Sequence, residues 1–119
     1  MNRVTTHKGG CHCGKIAYEF DGEIGEVLEC NCSLCAKRGG LLHFIPAAQF
    51  RLNTPREALG TYRFNKHAID HHFCPSCGIS PFSEGDNPKS GKMVAINARC
   101  VDGADPRQFT IKFHNGRDQ

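Results

Sequence analysis

Apolar and polar residues alternate over short runs along this chain, which is the pattern of strands that bury one face. The alternation is clear at Lys15–Phe20, after which Asp21 and Gly22 offer a turn. Two short segments are predicted to be helical, Ser33–Arg38 and Ala47–Phe50. The other predicted strands are Glu26–Cys30, Leu41–Ile45, Thr61–Phe64, Ala68–Phe73, Met93–Asn97 and Phe109–Phe113. Turn formers punctuate the rest, notably at Gly85–Pro88, so the pattern predicts a mostly β fold with few short helical turns.

The length of 119 residues is that of one domain. The 39% of hydrophobic residues, 13 glycines and absence of tryptophan indicate a modest core that a bound metal would help to stabilise. No repeat, linker or low-complexity tract divides the chain, so we expect a single domain over residues 1–119. The aromatic residues predicted for its core are Phe20, Phe44, Phe64 and Phe113, and those predicted to pack against metal loops are Phe73 and Phe82.

Seven of the eight cysteines fall into three tight clusters, which is a strong indication of metal binding. The clusters are the pair Cys11 and Cys13, the triplet Cys30, Cys32 and Cys35, and the pair Cys74 and Cys77. A glycine follows each pair, where the chain must bend back and often needs a positive φ. Zinc, held tetrahedrally by thiolates, is the metal that such clusters favour.

The two pairs together supply four thiolates, a closed set that is typical of structural zinc. The triplet would then hold a second zinc with an open fourth position, which is the arrangement of a catalytic site. Other readings remain open: a further side chain could close the second site, the chain could bind a single zinc, or the thiols could form disulfides. The residues that could close the site are Cys100, His43, His67, His71 and His72. For Cys100, a role as a small buried hydrophobe is preferred over that of a reactive thiol.

The formal net charge of +3 and the pI of about 8.5 treat cysteine as neutral. Seven thiolates and two Zn²⁺ ions would cancel that charge, so the basic pI is no evidence for a nucleic-acid partner. Residues Met1–Lys8 lack the apolar run of a signal peptide, and no segment approaches the roughly 20 apolar residues of a membrane helix. We therefore expect a cytoplasmic protein without nucleic-acid or membrane partners, in which reducing conditions keep thiols available to metals.

Few other side chains carry a chemical signal. Lys37 and Arg38 follow the triplet and could bind a ligand carboxylate, or could simply complement the C-terminus of a short helix. His71 and His72 are neighbours on a predicted strand, so one should face inward and the other outward. At most one of them is expected to contribute to a pocket. His12, between two candidate ligands, is expected to point away from the metal.

The order of these motifs resembles the glutathione-dependent formaldehyde-activating enzyme family, which also includes centromere protein V. The resemblance is carried by Gly10–Gly14, Cys30–Cys35 with Lys37–Gly39, Phe73–Gly78 with Phe82, and Asn97–Gly103. It runs from about Thr6 to about Phe113, which is nearly the whole chain.

This resemblance implies an Mss4-like fold, a β-rich zinc scaffold also described as a β-tent. It assigns Cys11, Cys13, Cys74 and Cys77 to a structural zinc, and Cys30, Cys32 and Cys35 to a catalytic zinc with an exchangeable position. It also implies a carbon–sulfur lyase with glutathione as co-substrate, in which the thiol adds reversibly to formaldehyde and gives S-hydroxymethylglutathione.

Three thiolates on Zn²⁺ leave a net charge of −1, so the second zinc is predicted to be labile. Two other functions remain open, the first being a non-catalytic zinc module that binds a macromolecule. The second is a methionine sulfoxide reductase that uses Cys100, although the chain lacks tryptophan and has one CxxC spacing among its paired clusters.

Overall fold

The computed structural model describes residues 5–63, 69–87 and 91–115, and 48% of its residues are in strands. The strands are β1 (Thr6–Gly10), β2 (Ala17–Asp21), β3 (Glu26–Cys30), β4 (Leu42–Pro46), β5 (Phe50–Leu52), β6 (Gly60–Tyr62), β7 (Ile69–Phe73), β8 (Phe82–Asn87), β9 (Gly91–Asn97) and β10 (Thr110–His114). Within these ranges they are joined by one α-helix, α1 (Ser33–Arg38), and by 3₁₀ turns at Ala47–Gln49, Arg56–Ala58, Ala98–Cys100 and Pro106–Gln108. No helix in the described part of the chain has the length and apolarity needed to cross a membrane. The predicted mostly β, single-domain fold is confirmed.

The strands form two sheets. The smaller sheet has the order β1-β2-β5 and is antiparallel throughout. The larger has the order β10-β3-β4-β9-β8-β7-β6, and its pairs are antiparallel except for the parallel pair of β10 with β3. Because β3 and β10 lie at one end of the larger sheet, the cysteine triplet that begins with β3's last residue is brought to that end.

The two faces of the larger sheet are chemically different, because successive side chains of a strand point to opposite sides. In β4, Ile45 is 3% exposed whereas its neighbour Phe44 is 49% exposed. The buried face packs on the smaller sheet and forms the main core with it. The largest members of that core are Tyr18, Phe20, Phe82, Ile16, Ile45 and Ile96. The opposite face, which carries Phe44, is left to form a cleft.

Two of the predicted core aromatics are placed wrongly by the sequence. Phe44 lies on the cleft face, and Phe113 is 66% exposed on β10, the last strand at its end of the sheet. Phe20 is fully buried as predicted, and Phe64 lies outside the described residues. Of the two aromatics expected against the metal loops, Phe82 is in the core itself and Phe73 is half-buried with its ring over Gly60.

The predicted strands each have a counterpart, and α1 has the predicted bounds. Part of two predicted strands, Phe64 and Ala68, falls outside the described residues. The sequence missed β1, β5 and β8. The sequence pattern predicts a turn at residues 85–88, yet Gly85, Asp86 and Asn87 belong to β8. The reason is that the inward residue after Phe82 in β8 is the charged Glu84, so the apolar alternation is hidden.

Glu84 is buried within a polar network that compensates its charge. It is 5% exposed and accepts hydrogen bonds from Arg56 at 2.8 and 3.1 Å, while its Oε1 lies 2.7 Å from His72 Nε2. Lys92 lies 3.4 Å from its other oxygen, and Thr61 bonds the second ring nitrogen of His72 at 3.0 Å. His72 is thus a structural histidine on the core face, as expected for one of the two neighbours.

Candidate functional site

Four thiols from the two sheets meet at one point, and we refer to Cys11, Cys13, Cys74 and Cys77 as the thiol quartet. All four Sγ atoms lie within 4.8 Å of one another. The Sγ of Cys13 lies 3.7 Å from that of Cys11 and 3.6 Å from that of Cys74. Four sulfurs around a tetrahedral zinc at 2.3 Å would be about 3.8 Å apart. The quartet therefore has the donor chemistry and the spacing for zinc.

Local backbone geometry explains how each pair forms. Gly14 and Gly78 have φ of 85° and 80°, which confirms the positive φ predicted after each pair. The bend directs backbone N–H groups at sulfur: Ile16 N–H donates to Cys11 Sγ at 3.2 Å, and Cys77 N–H donates to Cys74 Sγ at 3.4 Å. These donors stabilise thiolates before any cation is considered.

The thiols of the quartet have different pKa values. Backbone N–H groups, that of Ile79 first, lower the pKa of Cys77 to about 6. The pKa of Cys13 is raised to about 11: the backbone N–H of Lys15 opposes this rise, but the hydrogen bond with Cys74, burial and the other thiols outweigh it. A thiolate in this set makes its neighbour harder to deprotonate. A bound divalent cation would offset the repulsion between thiolates and favour the loss of both protons.

The second group is the thiol triplet, Cys30, Cys32 and Cys35, at the junction of β3 and α1. Its three Sγ atoms also lie within 4.8 Å of one another. Cys32 is the N-cap of α1, and its Sγ accepts from the Cys35 N–H at 3.4 Å, while Cys32 N–H donates to Cys30 Sγ at 3.4 Å. In the described part of the chain no histidine, carboxylate or further cysteine joins this set.

The candidates for a fourth ligand mostly lie elsewhere. Cys100 lies on the 3₁₀ turn after β9, and burial followed by the nearby Cys11 and Cys77 raises its pKa to about 11. Its neighbours are thus in the quartet, and its raised pKa is the opposite of what a nucleophilic thiol needs. His43 and His72 are on the core face of the sheet, and His67 is outside the described residues. His12 is exposed and joins neither thiol group.

Burial and neighbouring thiols set the protonation of the triplet. Burial, then the Cys32 and Cys30 sulfurs, raise the pKa of Cys35 to about 12. For Cys32, burial acts in the opposite direction to the net shift, but the backbone N–H of Cys35 and the two thiol neighbours lower its pKa. As in the quartet, one site prefers a thiolate and its neighbour a proton, which is donor chemistry suited to a metal cation.

Two adjoining cavities open on the triplet, on the outer face of the larger sheet. The first, the polar arm, has a volume of about 290 Å³ and is lined by Arg38, His71, Ser80 and Asn97 among others. The second, the apolar arm, has a volume of about 490 Å³, and all three triplet cysteines line it. Residues shared by both arms are Cys35, Leu42, His71, Ser83 and Ala95. Cys35 therefore stands where the two arms meet, and Cys30 and Cys32 line the apolar arm alone.

The polar side chains predicted near the site divide as follows. His71 lines both arms and His72 is buried on the other face, so the inward–outward prediction is confirmed. Arg38 lines the polar arm and donates to Ser80 Oγ at 2.7 Å, while Lys37 is exposed in the last turn of α1. Sequence reasoning assigned no site role to Ser80, Asn97 or His114. Asn97 begins a segment of the family resemblance, but no local pattern shows that it lines the cleft; pairing with Leu42 brings Asn97 there, and pairing with Cys30 brings His114 to the triplet.

A solved structure resembles this fold over most of its length. It is the crystal structure of a Rhodobacter sphaeroides protein, with a TM-score of 0.73 and 26% sequence identity, covering 88% of this chain and 99% of that one. This agreement supports the Mss4-like fold.

The family comparison covers both thiol groups and the cleft beside the triplet. The model of the family described as glutathione-dependent formaldehyde-activating enzyme matches residues 6–115, from the start of β1 to just beyond β10. The chain therefore belongs to the glutathione-dependent formaldehyde-activating enzyme family.

Proposed function

We propose that this protein forms and cleaves the carbon–sulfur bond of a glutathione–aldehyde adduct at a zinc held by Cys30, Cys32 and Cys35. A structural zinc would be held by Cys11, Cys13, Cys74 and Cys77. One observation carries the proposal: the triplet offers three thiols in the described structure, all three line one cavity, and Cys35 also lines the adjoining one. The quartet, by contrast, already supplies the four ligands that a structural zinc requires.

The donor set fits the metal. Three sulfurs within 4.8 Å of one another leave room for one further ligand on a tetrahedral ion. Bound there, zinc would lower the pKa of an incoming thiol and favour its thiolate.

The reaction itself needs little beyond positioning. The glutathione sulfur adds to the aldehyde carbon, the C–S bond forms as the C=O π bond breaks, and the thiol's proton ends on the oxygen. No electrons are exchanged with a third reagent, and the reverse reaction returns the proton to sulfur. His71, which like Cys35 lines both arms, would hydrogen-bond the oxygen of the adduct. Arg38, in the polar arm, offers a planar fork of donors for a glutathione carboxylate.

The test compares two serine variants. Cys32→Ser keeps a side chain that can cap α1 but removes one triplet thiol, and it is expected to leave one zinc per chain and to lose glutathione binding and lyase activity. Cys100→Ser is the matched control and should keep two zincs and both properties. Zinc is counted by elemental analysis, and glutathione binding is measured by calorimetry. Two tight zincs with unchanged glutathione affinity in Cys32→Ser would remove the basis of the proposal.

A non-catalytic binding module is the second candidate. Its supporting observation is the pair of exposed apolar side chains on β10, Ile111 at 48% and Phe113 at 66% exposure. The same variants separate the two functions, because a module would bind its partner equally well without the triplet thiol.

A further inference from the structure

The apolar arm is much larger than formaldehyde requires. Formaldehyde has one carbon and one oxygen, whereas this arm has a volume of about 490 Å³, within the range of pockets that hold drug-sized ligands. It begins at the thiol triplet, since Cys30, Cys32 and Cys35 all line it. An adduct formed at the triplet would therefore reach directly into it.

Sheet register builds the floor of the arm from apolar side chains of strands far apart in sequence. Leu28 pairs with Leu42, and Phe44 pairs with Ala95. Met93 pairs with Gly85, which in turn pairs with Ile69. These residues share one face of the sheet, because residues paired across adjacent strands point to the same side. The result is a continuous apolar surface beside the thiols.

Glutathione itself is better matched to the other arm. Its two carboxylates, ammonium and amides need polar partners, which the polar arm supplies through Arg38, Ser80, Asn97 and His71. The described lining of the apolar arm includes neither lysine nor arginine, and its charged members are the carboxylates of Glu84 and Asp86. The apolar arm is therefore left for a different part of the adduct.

We propose that the apolar arm holds an apolar chain of several carbons contributed by the aldehyde, with Phe44, Ile69 and Met93 selecting for it. This inference rests on the proposed function, since it requires a glutathione–aldehyde adduct at the triplet. The bond made is the same C–S bond, and the aldehyde's chain takes no part in the electron balance. The preferred substrates are adducts of aliphatic aldehydes longer than formaldehyde.

The chain provides matched residues for the test. Ile69 in the apolar arm is 47% exposed, and Ile111 on β10 is 48% exposed but lines neither arm. Phe44 and Phe113 form a second such pair, at 49% and 66% exposure. Asparagine at any of these positions removes apolar surface, but only Ile69→Asn and Phe44→Asn remove it from the arm.

The experiment measures binding of S-methylglutathione and S-hexylglutathione to the zinc-loaded protein by calorimetry. The hexyl chain has five more methylene groups, and burying about half of them predicts tighter binding by about tenfold to thirtyfold. Ile69→Asn and Phe44→Asn should each reduce this ratio severalfold, while Ile111→Asn and Phe113→Asn keep it. If Ile69→Asn does not fold, Phe44→Asn and its control Phe113→Asn still provide the test.

The outcomes separate this inference from the function on which it rests. If S-methylglutathione and S-hexylglutathione bind with equal affinity, the apolar arm does not hold the hexyl chain and this inference is wrong. The proposed recognition of glutathione is then retained. If Ile111→Asn lowers the ratio as much as Ile69→Asn, the chain lies elsewhere and the inference is wrong. If neither ligand nor glutathione binds, the proposed function fails and the inference fails with it.

Discussion

At the scale of single residues, side chains that are adjacent in sequence lie in opposite environments in this protein. His71 lines the cleft, whereas His72, one position later, is buried at hydrogen-bond distance from Glu84. Glu84 in turn is a buried carboxylate whose charge is compensated by Arg56 and Lys92. Burying such a group is tolerable only because every one of these partners is present.

The Glu84 network predicts a pH-dependent stability. Its hydrogen bond with His72 and then the Arg56 pair outweigh burial and hold the pKa of Glu84 below its usual 4.5. A lowered pKa means that the unfolded chain binds the proton more tightly, so the stabilisation is present above about pH 4.5 and is lost as pH falls towards the folded pKa. Glu84→Gln should lower the free energy of unfolding by about 2 kcal/mol at pH 7, and by less at pH 4.

Denaturant unfolding of the wild type and of Glu84→Gln from pH 7 to pH 4 checks this prediction. Loss of metal in acid affects both proteins, so the difference between them reports Glu84. The control Glu57→Gln changes an exposed carboxylate and should track the wild type at every pH. A difference that stays constant, or grows, below pH 4.5 would show that Glu84 is not held ionised by its partners.

At the scale of elements, the turns that present the thiols depend on close backbone approaches. A Cβ on Gly10 would lie 2.0 Å from the carbonyl oxygen of Ile16, the same oxygen that accepts the Cys11 N–H at 3.1 Å. Neither backbone can move without displacing Cys11 from the quartet. Gly25, in contrast, has open space around the corresponding position.

We therefore expect Gly10→Ala to weaken the quartet and Gly25→Ala to be nearly neutral. Gly10→Ala should cost more than about 2 kcal/mol of stability and lower zinc affinity, because a backbone atom cannot yield as a flexible side chain can. Gly25→Ala should change stability by less than about 0.5 kcal/mol. Thermal unfolding of the zinc-loaded variants, with zinc counted afterwards, measures both effects. Equal melting temperatures for the two would contradict the close approach.

At the scale of the whole molecule, the quartet joins the two sheets and the triplet does not. Cys11 and Cys13 follow β1 of the smaller sheet, whereas Cys74 and Cys77 follow β7 of the larger sheet. A metal there would cross-link both layers of the fold. The triplet lies on β3 and α1, at one end of a single sheet.

This difference predicts two zincs of unequal lability. A mild chelator, or excess glutathione, should remove one zinc per chain with the fold retained, while the second should leave only on unfolding. Cys74→Ser should unfold much of the domain, whereas Cys32→Ser should not. A chromogenic chelator follows release while circular dichroism reports the fold. Two zincs that resist both treatments would contradict a labile triplet site, and simultaneous loss of both with the fold would contradict the division of roles.

Some properties stay predictions at this scale. The metal-ligand roles of the seven clustered cysteines, the single zinc-binding domain over residues 1–119, the cytoplasmic compartment and the absence of a nucleic-acid partner all rest on the sequence.

The local features of this protein follow from its amino-acid sequence alone. Spacing placed thiols on shared turns, because cysteines one or two residues apart with a following glycine can bend towards one metal. Local sequence patterns identified β2, β3, β4, β6, β7, β9 and β10. The clearest pattern is the alternation in β2, because a strand with one apolar face has a period of two. The family followed from the same local motifs.

Which face of each strand is buried, and which side chains meet on it, depends on contacts between distant parts of the chain. The sequence predicts Phe44 and Phe113 as core residues, but both are exposed. The smaller sheet packs on the face of the larger sheet opposite to Phe44, and Phe113 lies on β10, the last strand at its end of that sheet. Cys100 lies near Cys11 and Cys77 of the quartet, although it is distant from both in sequence. The pairing of β7, β8 and β9 brings His71, Ser83 and Ala95 together on the cleft face. Period two tells which residues share a face, but the contacts that bury one face are long-range, so no local pattern records them.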